Sequence, residues 1–128
     1  MVGRAKDWLK QAERNLKSAE VNLINEIYEE ACFEAHQAAE KAIKALLNVF
    51  HKEVRGHSII YLARTLNIEI PAEIYSCMQW LDKHYIPSRY PDVYNQGIPA
   101  DYYNKDDAGK CLECAKKIVN WVKNVGNL

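Results

Sequence analysis

The segment from Phe33 to Leu47 most constrains the fold, because it contains no glycine or proline and only one β-branched residue. Alanine, leucine, glutamate, lysine and glutamine fill most of it, and these are strong helix formers. Its apolar residues recur at helical spacing along two adjoining lines. The first line consists of Cys32, Ala35, Ala39, Ala42, Ile43, Leu46 and Phe50, and the second of Ala31, Phe33, Ala38, Ala45 and Leu47. Because so wide an apolar surface needs neighbours on more than one side, the pattern predicts a central helix that runs to about His51.

The composition is that of one ordinary globular domain spanning residues 1–128, with 48% apolar and 27% charged residues. Seventeen basic and seventeen acidic side chains cancel, which argues against tight nonspecific nucleic-acid binding but leaves room for a local basic site. No apolar run has the ~18–20 residues that span a bilayer. The segment Met1–Asp7 has no apolar stretch resembling a signal peptide. We therefore expect a cytoplasmic protein without membrane contact.

Four other stretches repeat apolar residues at helical spacing. They run from Ala5 to about Asn25, near Ser58–Leu66, near Ala72–Tyr85, and from Asn104 to Gly126. The link between the first helix and the central helix is short, which predicts antiparallel neighbours. Three long helices and two short ones, with the short pair forming one broken wall, indicate an all-α, up-and-down fold like a four-helix bundle. No strand pattern and no internal repeat is present.

Several residues mark the ends of these helices. Ser58 is a plausible N-cap for the first short helix. Asn104 followed by Asp107 resembles a capping box for the last helix, with aspartate in place of the usual glutamate. Gly126 is expected to end that helix as the glycine just beyond it.

The region from Ile86 to Asn104 lacks helical periodicity and contains three prolines, one glycine and four tyrosines. Loops of this length in compact domains are usually functional or disordered. Because so much aromatic surface is normally packed, the tyrosines argue for order. We expect this loop to have a function.

Cys111 and Cys114 form a Cys-x-x-Cys motif, but no second pair with suitable spacing completes a zinc site. Cys111 also falls on the apolar stripe of its helix, so core packing is the expected role. The four cysteines lie in helical patterns and do not suggest a disulfide framework. No metal and no cofactor is expected.

His36 and Glu40 lie one turn apart on the central helix, where together they could bind a metal or relay a proton. Such a pair on a helix edge is more often structural, unless Arg89 lies beside it. His57 stands at a helix start, where capping or packing is the expected role. The two remaining histidines have no recognisable context.

Arg89 is the most informative residue of the loop, because a proline on each side of it stiffens the backbone that presents it. An arginine can bind a phosphate or carboxylate with two parallel hydrogen bonds. Tyr90 and Tyr94 are near enough in sequence to stack on a base. The alternative is that Arg89 bonds to Asp92 or to a backbone carbonyl and only orders the loop. Both interpretations remain open.

Three segments together resemble the HEPN domain family. Ala35–Leu47 is similar to the "QQAAEKALKALL" signature of HEPN domains, Gly56–Leu62 to the start of their third helix, and Ser88–Asp92 to the "RYPD" loop of one HEPN subgroup. The order and spacing of the three segments match, and the resemblance covers nearly the whole chain.

The resemblance implies a helical bundle related to the C-terminal domain of kanamycin nucleotidyltransferase, a substrate-binding type of domain. It also implies a homodimer and pairing with a small nucleotidyltransferase. Many HEPN domains are metal-independent ribonucleases that use an arginine followed after four to six residues by a histidine. In that chemistry the histidine activates the ribose 2′-hydroxyl and the arginine stabilises the phosphate.

This chain contains only part of the arginine–histidine motif. Arg89 matches the arginine, but Tyr94, Asn95 and Gln96 occupy the positions of the histidine, and no histidine follows His84. The usual ribonuclease mechanism is therefore not expected, although His36 or His57 from another helix could substitute.

The preferred hypothesis is a non-catalytic HEPN protein of a toxin–antitoxin-like system. It would bind a nucleotide, a minimal nucleotidyltransferase partner, or both, through Arg89, Tyr90, Asp92, Tyr94, His36 and Glu40. The first alternative is an RNA endonuclease that uses Arg89 and His36, and the second is a purely structural dimer. A dimer is also suggested by the wide apolar surface of the central helix and by Trp121, which lies off the inner stripe of the last helix.

Overall fold

The computed structural model describes residues 2–128, with side chains from residue 3 onward, so that Met1 of the segment inspected for a signal peptide lies outside it. Five α-helices follow one another along the chain. They are α1 (Ala5–Ile24), α2 (Tyr28–Val49), α3 (Ile59–Arg64), α4 (Ala72–Asp82) and α5 (Lys105–Gly126). Short 3₁₀ helices occupy Val2–Arg4, Pro91–Val93 and Pro99–Tyr102. Residues 2–128 contain no strand, so the predicted all-α fold with three long and two short helices is confirmed.

Helix α2 lies at the centre of the bundle, as its sequence predicts, and packs against each of the other four α-helices. All six of its alanines are completely buried. These small side chains allow neighbouring helices to approach closely. Because the chain's own helices cover the apolar surface of α2, the width of that surface is not an argument for a dimer. Trp121 is partly buried against the same core.

The helix ends agree with the sequence at two positions and differ at one. The Ser58 hydroxyl accepts a hydrogen bond from the Tyr61 N–H at 3.1 Å, which confirms the predicted N-cap. Asn104 and Asp107 cap each other's backbone N–H groups at 2.9 and 3.1 Å. Gly126, however, is the last helical residue, and Asn127 takes the left-handed conformation with φ 54°.

Helix α4 is shorter than expected, because it ends at Asp82 rather than near Tyr85. Pro87 prevents the helix from continuing beyond this region, because its ring would clash with the carbonyl four residues earlier and it has no N–H to donate. The chain therefore leaves the helix through a series of turns that carry Tyr85 and Arg89.

Cys77 of α4 and Cys114 of α5 are joined by a disulfide, with Cα atoms 4.9 Å apart. The expectation that the cysteines are unpaired is therefore wrong for these two. Their partnership depends on the packing of α4 against α5, which residue spacing does not show. Cys32 and Cys111 are free and buried.

None of the helices in the described part of the chain combines the length and apolar character needed to cross a bilayer.

Candidate functional site around Arg89 and His57

Arg89 lies half-buried in the segment between α4 and α5, against three aromatic rings. Its Nε donates a hydrogen bond to the Tyr85 carbonyl at 2.9 Å. The guanidinium carbon lies 4.4 Å from the ring centre of Tyr85, 4.6 Å from that of Phe33 and 4.9 Å from that of Tyr90. Cation–π attraction and the backbone bond together restrict the orientation of the guanidinium.

The charge of Arg89 is not neutralised by an ion pair with any residue in the range 3–128. Asp92 is exposed, and no salt bridge links it to Arg89. Arg89 does form a hydrogen bond to a backbone carbonyl, as expected if it only orders the loop, but this bond uses only Nε. The two terminal nitrogens are the groups with which an arginine grips a phosphate or carboxylate.

Glu30, in the first turn of α2, lies within electrostatic reach of this arginine. Burial raises the pKa of Glu30, as do Glu34 and Glu29, while Arg89 acts in the opposite direction. Any anion that binds Arg89 must compete with this acidic group.

His57 stands just before α3, with a side chain that is 57% exposed. Its Nδ1 lies 3.0 Å from Oε1 of Glu40, whose other carboxylate oxygen accepts a hydrogen bond from Lys44 at 3.0 Å. Because a carboxylate only accepts hydrogen bonds, we assign the Nδ1 proton to a bond that His57 donates to Glu40. In neutral His57 the lone pair is then on Nε2.

The Tyr85 ring brings the arginine and the histidines together. His57 stacks on it with ring centres 5.1 Å apart and planes inclined by 20°. His36 approaches the same ring with a centre distance of 4.8 Å. Arg89, His57 and His36 therefore all contact Tyr85, although they come from three separate parts of the chain.

His36 is completely buried, which separates it from the solvent. Its Nε2 lies 3.1 Å from Oδ1 of Asp82, and its Nδ1 lies 3.4 Å from Oε1 of Gln37. The predicted pair of His36 and Glu40 is thus divided between two partners, Asp82 and His57. The sequence placed both residues on α2 but did not indicate either partner.

Asp82 is the residue that the sequence analysis missed most clearly. Its carboxylate accepts hydrogen bonds from the backbone N–H groups of Ile59 and Ile60 at 2.9 and 3.1 Å and from the Ser58 hydroxyl at 3.0 Å. Burial alone would raise its pKa, but the bonds from His36, Ile59, Ile60 and Ser58 outweigh burial and lower it. Asp82 thereby fixes the start of α3, and with it the position of His57.

A groove of about 380 Å³ adjoins His57. Its lining includes the aromatic ring of Trp8 and the basic side chains of Lys44, Lys52 and Arg55, together with the acidic Glu53. Lys44 Nζ lies 5.5 Å from the Trp8 ring centre. Positive charge next to an aromatic surface is the combination that single-stranded nucleic acids and nucleotides bind.

The tyrosines of the loop have two different arrangements. Tyr94 stacks on Tyr102 with ring centres 4.0 Å apart and planes nearly parallel, and its hydroxyl donates to the Pro87 carbonyl at 2.8 Å. Tyr90 is 45% exposed and lies beside Arg89. Tyr94 therefore orders the loop in this structure, whereas Tyr90 offers a ring surface to a ligand.

The sequence model of the HEPN domain family matches residues 5–125. A relative in Methanocaldococcus jannaschii, named as a candidate toxin, is 28% identical over 94% of this chain and 86% of its own length. The crystal structure of TT1696 from Thermus thermophilus is 40% identical, with a TM-score of 0.91, over 94% of this chain and 97% of that one. The crystal structure of ST0689, an archaeal HEPN homologue, is 49% identical, with a TM-score of 0.83, over 96% and 98% of the two chains.

Proposed function

The chain belongs to the HEPN domain family, and from this premise we propose that it binds a nucleotide through Arg89 as the toxin-like member of a toxin–antitoxin-like pair. The observation that supports the proposal is that Arg89 is held in one orientation while its charge has no counter-ion among the described residues. Three rings and the Tyr85 carbonyl orient its guanidinium, while no ion pair neutralises it among residues 3–128. The name of the Methanocaldococcus jannaschii relative supports the second half of the proposal.

A nucleotide would use the neighbouring groups in a defined way. Its phosphate would accept hydrogen bonds from the terminal nitrogens of Arg89, and its base would stack on the exposed ring of Tyr90. The groove beside His57 would accept further phosphates near Lys52 and Arg55. The exposed carboxylate of Asp92 would accept a hydrogen bond from the base or the ribose.

Binding of nucleoside mono-, di- and triphosphates to the purified chain tests the proposal by calorimetry. Arg89→Ala is expected to weaken binding by about 10–100-fold, because hydrogen bonds to a charged group contribute roughly 1.5–3 kcal/mol. Arg64→Ala is a matched control, since Arg64 also lies against a tyrosine ring and donates to the Tyr75 hydroxyl at 2.7 Å. Equal affinities of the wild type and Arg89→Ala, or no binding by either, would refute the nucleotide site.

We also propose a protein partner of the minimal nucleotidyltransferase type, and a homodimer. Tyr90 and two neighbouring apolar side chains of this segment, Ile86 and Val93, are exposed and offer surface to either. Co-purification with a co-expressed minimal nucleotidyltransferase tests the first proposal. Sedimentation at micromolar concentration tests the second, and a monomeric mass would argue against the dimer.

The second candidate function is an RNA endonuclease, and one observation favours it specifically. His57, oriented by Glu40, and Arg89 contact the same ring of Tyr85. His57 Nε2 would take the proton of a ribose 2′-hydroxyl, whose oxygen would attack the adjacent phosphorus. The products would be a 2′,3′-cyclic phosphate and a 5′-hydroxyl that receives a proton from water, while Arg89 stabilises the charge on the phosphate.

Incubation of the pure protein with RNA in the presence of EDTA separates the two functions. If the chain is a nuclease, His57→Ala should reduce cleavage by about 10²–10⁴-fold, the usual contribution of a general base. His51→Ala is the matched control, because His51 is exposed on the loop after α2. Cleavage that survives both His57→Ala and Arg89→Ala would come from a contaminant, and binding without cleavage would support the nucleotide-binding function.

A further inference from the structure

A second cluster of reactive side chains lies away from Arg89, where α2, α5 and the turn after α4 meet. It consists of Cys32, Cys111 and His84, whose ligand atoms all lie within 4.8 Å of one another. Both cysteines are completely buried, and neither belongs to the disulfide. The cluster therefore combines two free thiols and an imidazole in the interior of the bundle.

One polar atom of this cluster, Nε2 of His84, is buried without a hydrogen-bond partner among the described residues. The Nδ1 atom of the same ring lies 2.7 Å from the Tyr103 hydroxyl. A buried polar atom without a partner costs roughly 1–3 kcal/mol, so such atoms are uncommon and need an explanation. Core packing of Cys32 and Cys111 explains the sulfurs but leaves this nitrogen unexplained.

We propose that Cys32, Cys111 and His84 bind a single soft or borderline metal ion, of which Zn²⁺ is the representative. Thiolate and neutral imidazole are the ligands that such ions prefer. In a tetrahedral zinc site the ligand atoms are about 3.5–3.8 Å apart, so distances of up to 4.8 Å in the observed cluster need to contract by no more than about 1.3 Å. A water molecule would occupy the fourth position.

The surroundings of His84 resemble those of a metal-bound histidine. A ligating histidine usually donates its second ring N–H to a nearby acceptor, which fixes the ring. Tyr103 is placed for this role, and the Trp80 and Tyr103 rings pack against the imidazole with ring centres 4.6 and 5.4 Å away.

The site would be structural, because its two sulfur atoms and His84 Nε2 are buried between α2, α5 and the turn after α4. Metal binding would join α2 to α5 and to the turn that leads towards Arg89. The proposal rests on residues that take no part in the nucleotide site, so either can fail without the other.

Co²⁺ is a suitable probe, since thiolate ligands give it charge-transfer absorption and tetrahedral geometry gives it intense visible bands. The full chain, reduced with a phosphine and freed of metal, is titrated with Co²⁺ and then with Zn²⁺. We expect one Co²⁺ per chain, displaced by Zn²⁺, and a higher melting temperature with either ion. Absence of thiolate–cobalt absorption in the folded wild type would overturn the proposal.

Variants distinguish this cluster from the other thiols. Cys32→Ala and Cys111→Ala should abolish the thiolate–cobalt bands, whereas the double variant C77S/C114S should retain them. Tyr103→Phe keeps all three ligands and is expected to weaken binding by about 10–100-fold, as loss of a ligand's hydrogen-bond partner usually does. If a ligand variant fails to fold, Tyr103→Phe and the wild-type stoichiometry still decide. Bands that persist in Cys111→Ala, or that disappear in C77S/C114S, would refute the assignment.

Discussion

The carboxylate of Asp82 lies 3.1 Å from Nε2 of the buried His36, and the same carboxylate caps the first two N–H groups of α3. One side chain of α4 thus connects α2 with α3. Because His57 directly precedes the α3 N-cap, the geometry of the candidate site depends on this connection.

Asp82→Asn is expected to lower the free energy of unfolding by about 2–3 kcal/mol, since an amide replaces a charged acceptor of several hydrogen bonds. Urea denaturation measures this change. Asp92→Asn is the control, because Asp92 is exposed and its replacement should stay within about 0.5 kcal/mol. Equal losses in the two variants would contradict the role assigned to Asp82.

The pH dependence of stability should reveal the same carboxylate. The folded-state pKa of Asp82 lies below its ordinary value of 3.8. Its contribution is therefore complete above pH 3.8 and is lost as the pH falls through the folded-state pKa. The stability difference between the wild type and Asp82→Asn should shrink on acidification below pH 3.8, as followed by urea denaturation at successive pH values. A difference independent of pH would show that the carboxylate charge is not responsible.

The disulfide predicts a definite thiol count and a stability effect. Denatured, unreduced protein should react with two equivalents of a thiol reagent, from Cys32 and Cys111, and with four after reduction. Cys77 and Cys114 are 37 residues apart, and a bridge closing such a loop contributes up to about 4 kcal/mol in the chain-entropy view. C77S/C114S should unfold at lower urea concentration. Four reactive thiols before reduction would show that the bridge does not form in the isolated protein.

The alanines of α2 predict a strong sensitivity to added volume. Ala39→Val should destabilise the protein by about 1–3 kcal/mol, because Ala39 is fully buried between packed helices. Ala100→Val, at an exposed position of the loop, is the control and should be nearly neutral. Thermal unfolding compares the two, and an unaffected Ala39→Val would indicate a looser centre than the structure has.

Features with a local physical cause could be read from the sequence. The alanine-rich run predicts α2 and its central position, and the Ser58 and Asn104 caps depend on residues no more than three positions away. The end of α5 was missed by one residue, because Gly126 has a different role from the expected one: it is helical, and a Cβ there would approach Leu46 Cδ1 at 3.1 Å. That constraint comes from another helix and leaves the left-handed position to Asn127.

The site could be predicted only in part for the same reason. Arg89 was identified from its own loop, since the prolines beside it are local. The partners of His36 and Glu40 come from α4 and from the residue before the α3 N-cap, so only the packed bundle reveals them. The Cys77–Cys114 bridge likewise joins two helices whose facing sides are set by tertiary packing.

The shared ring of Tyr85 makes one side chain a natural reporter for the whole site. Since His57 and Arg89 both contact this ring, a ligand that binds either residue should change the chemical environment of Tyr85. Isotope-labelled tyrosine would then give a Tyr85 resonance whose chemical shift follows ligand addition, while Tyr75, which contacts Arg64 instead, would provide an internal reference within the same spectrum.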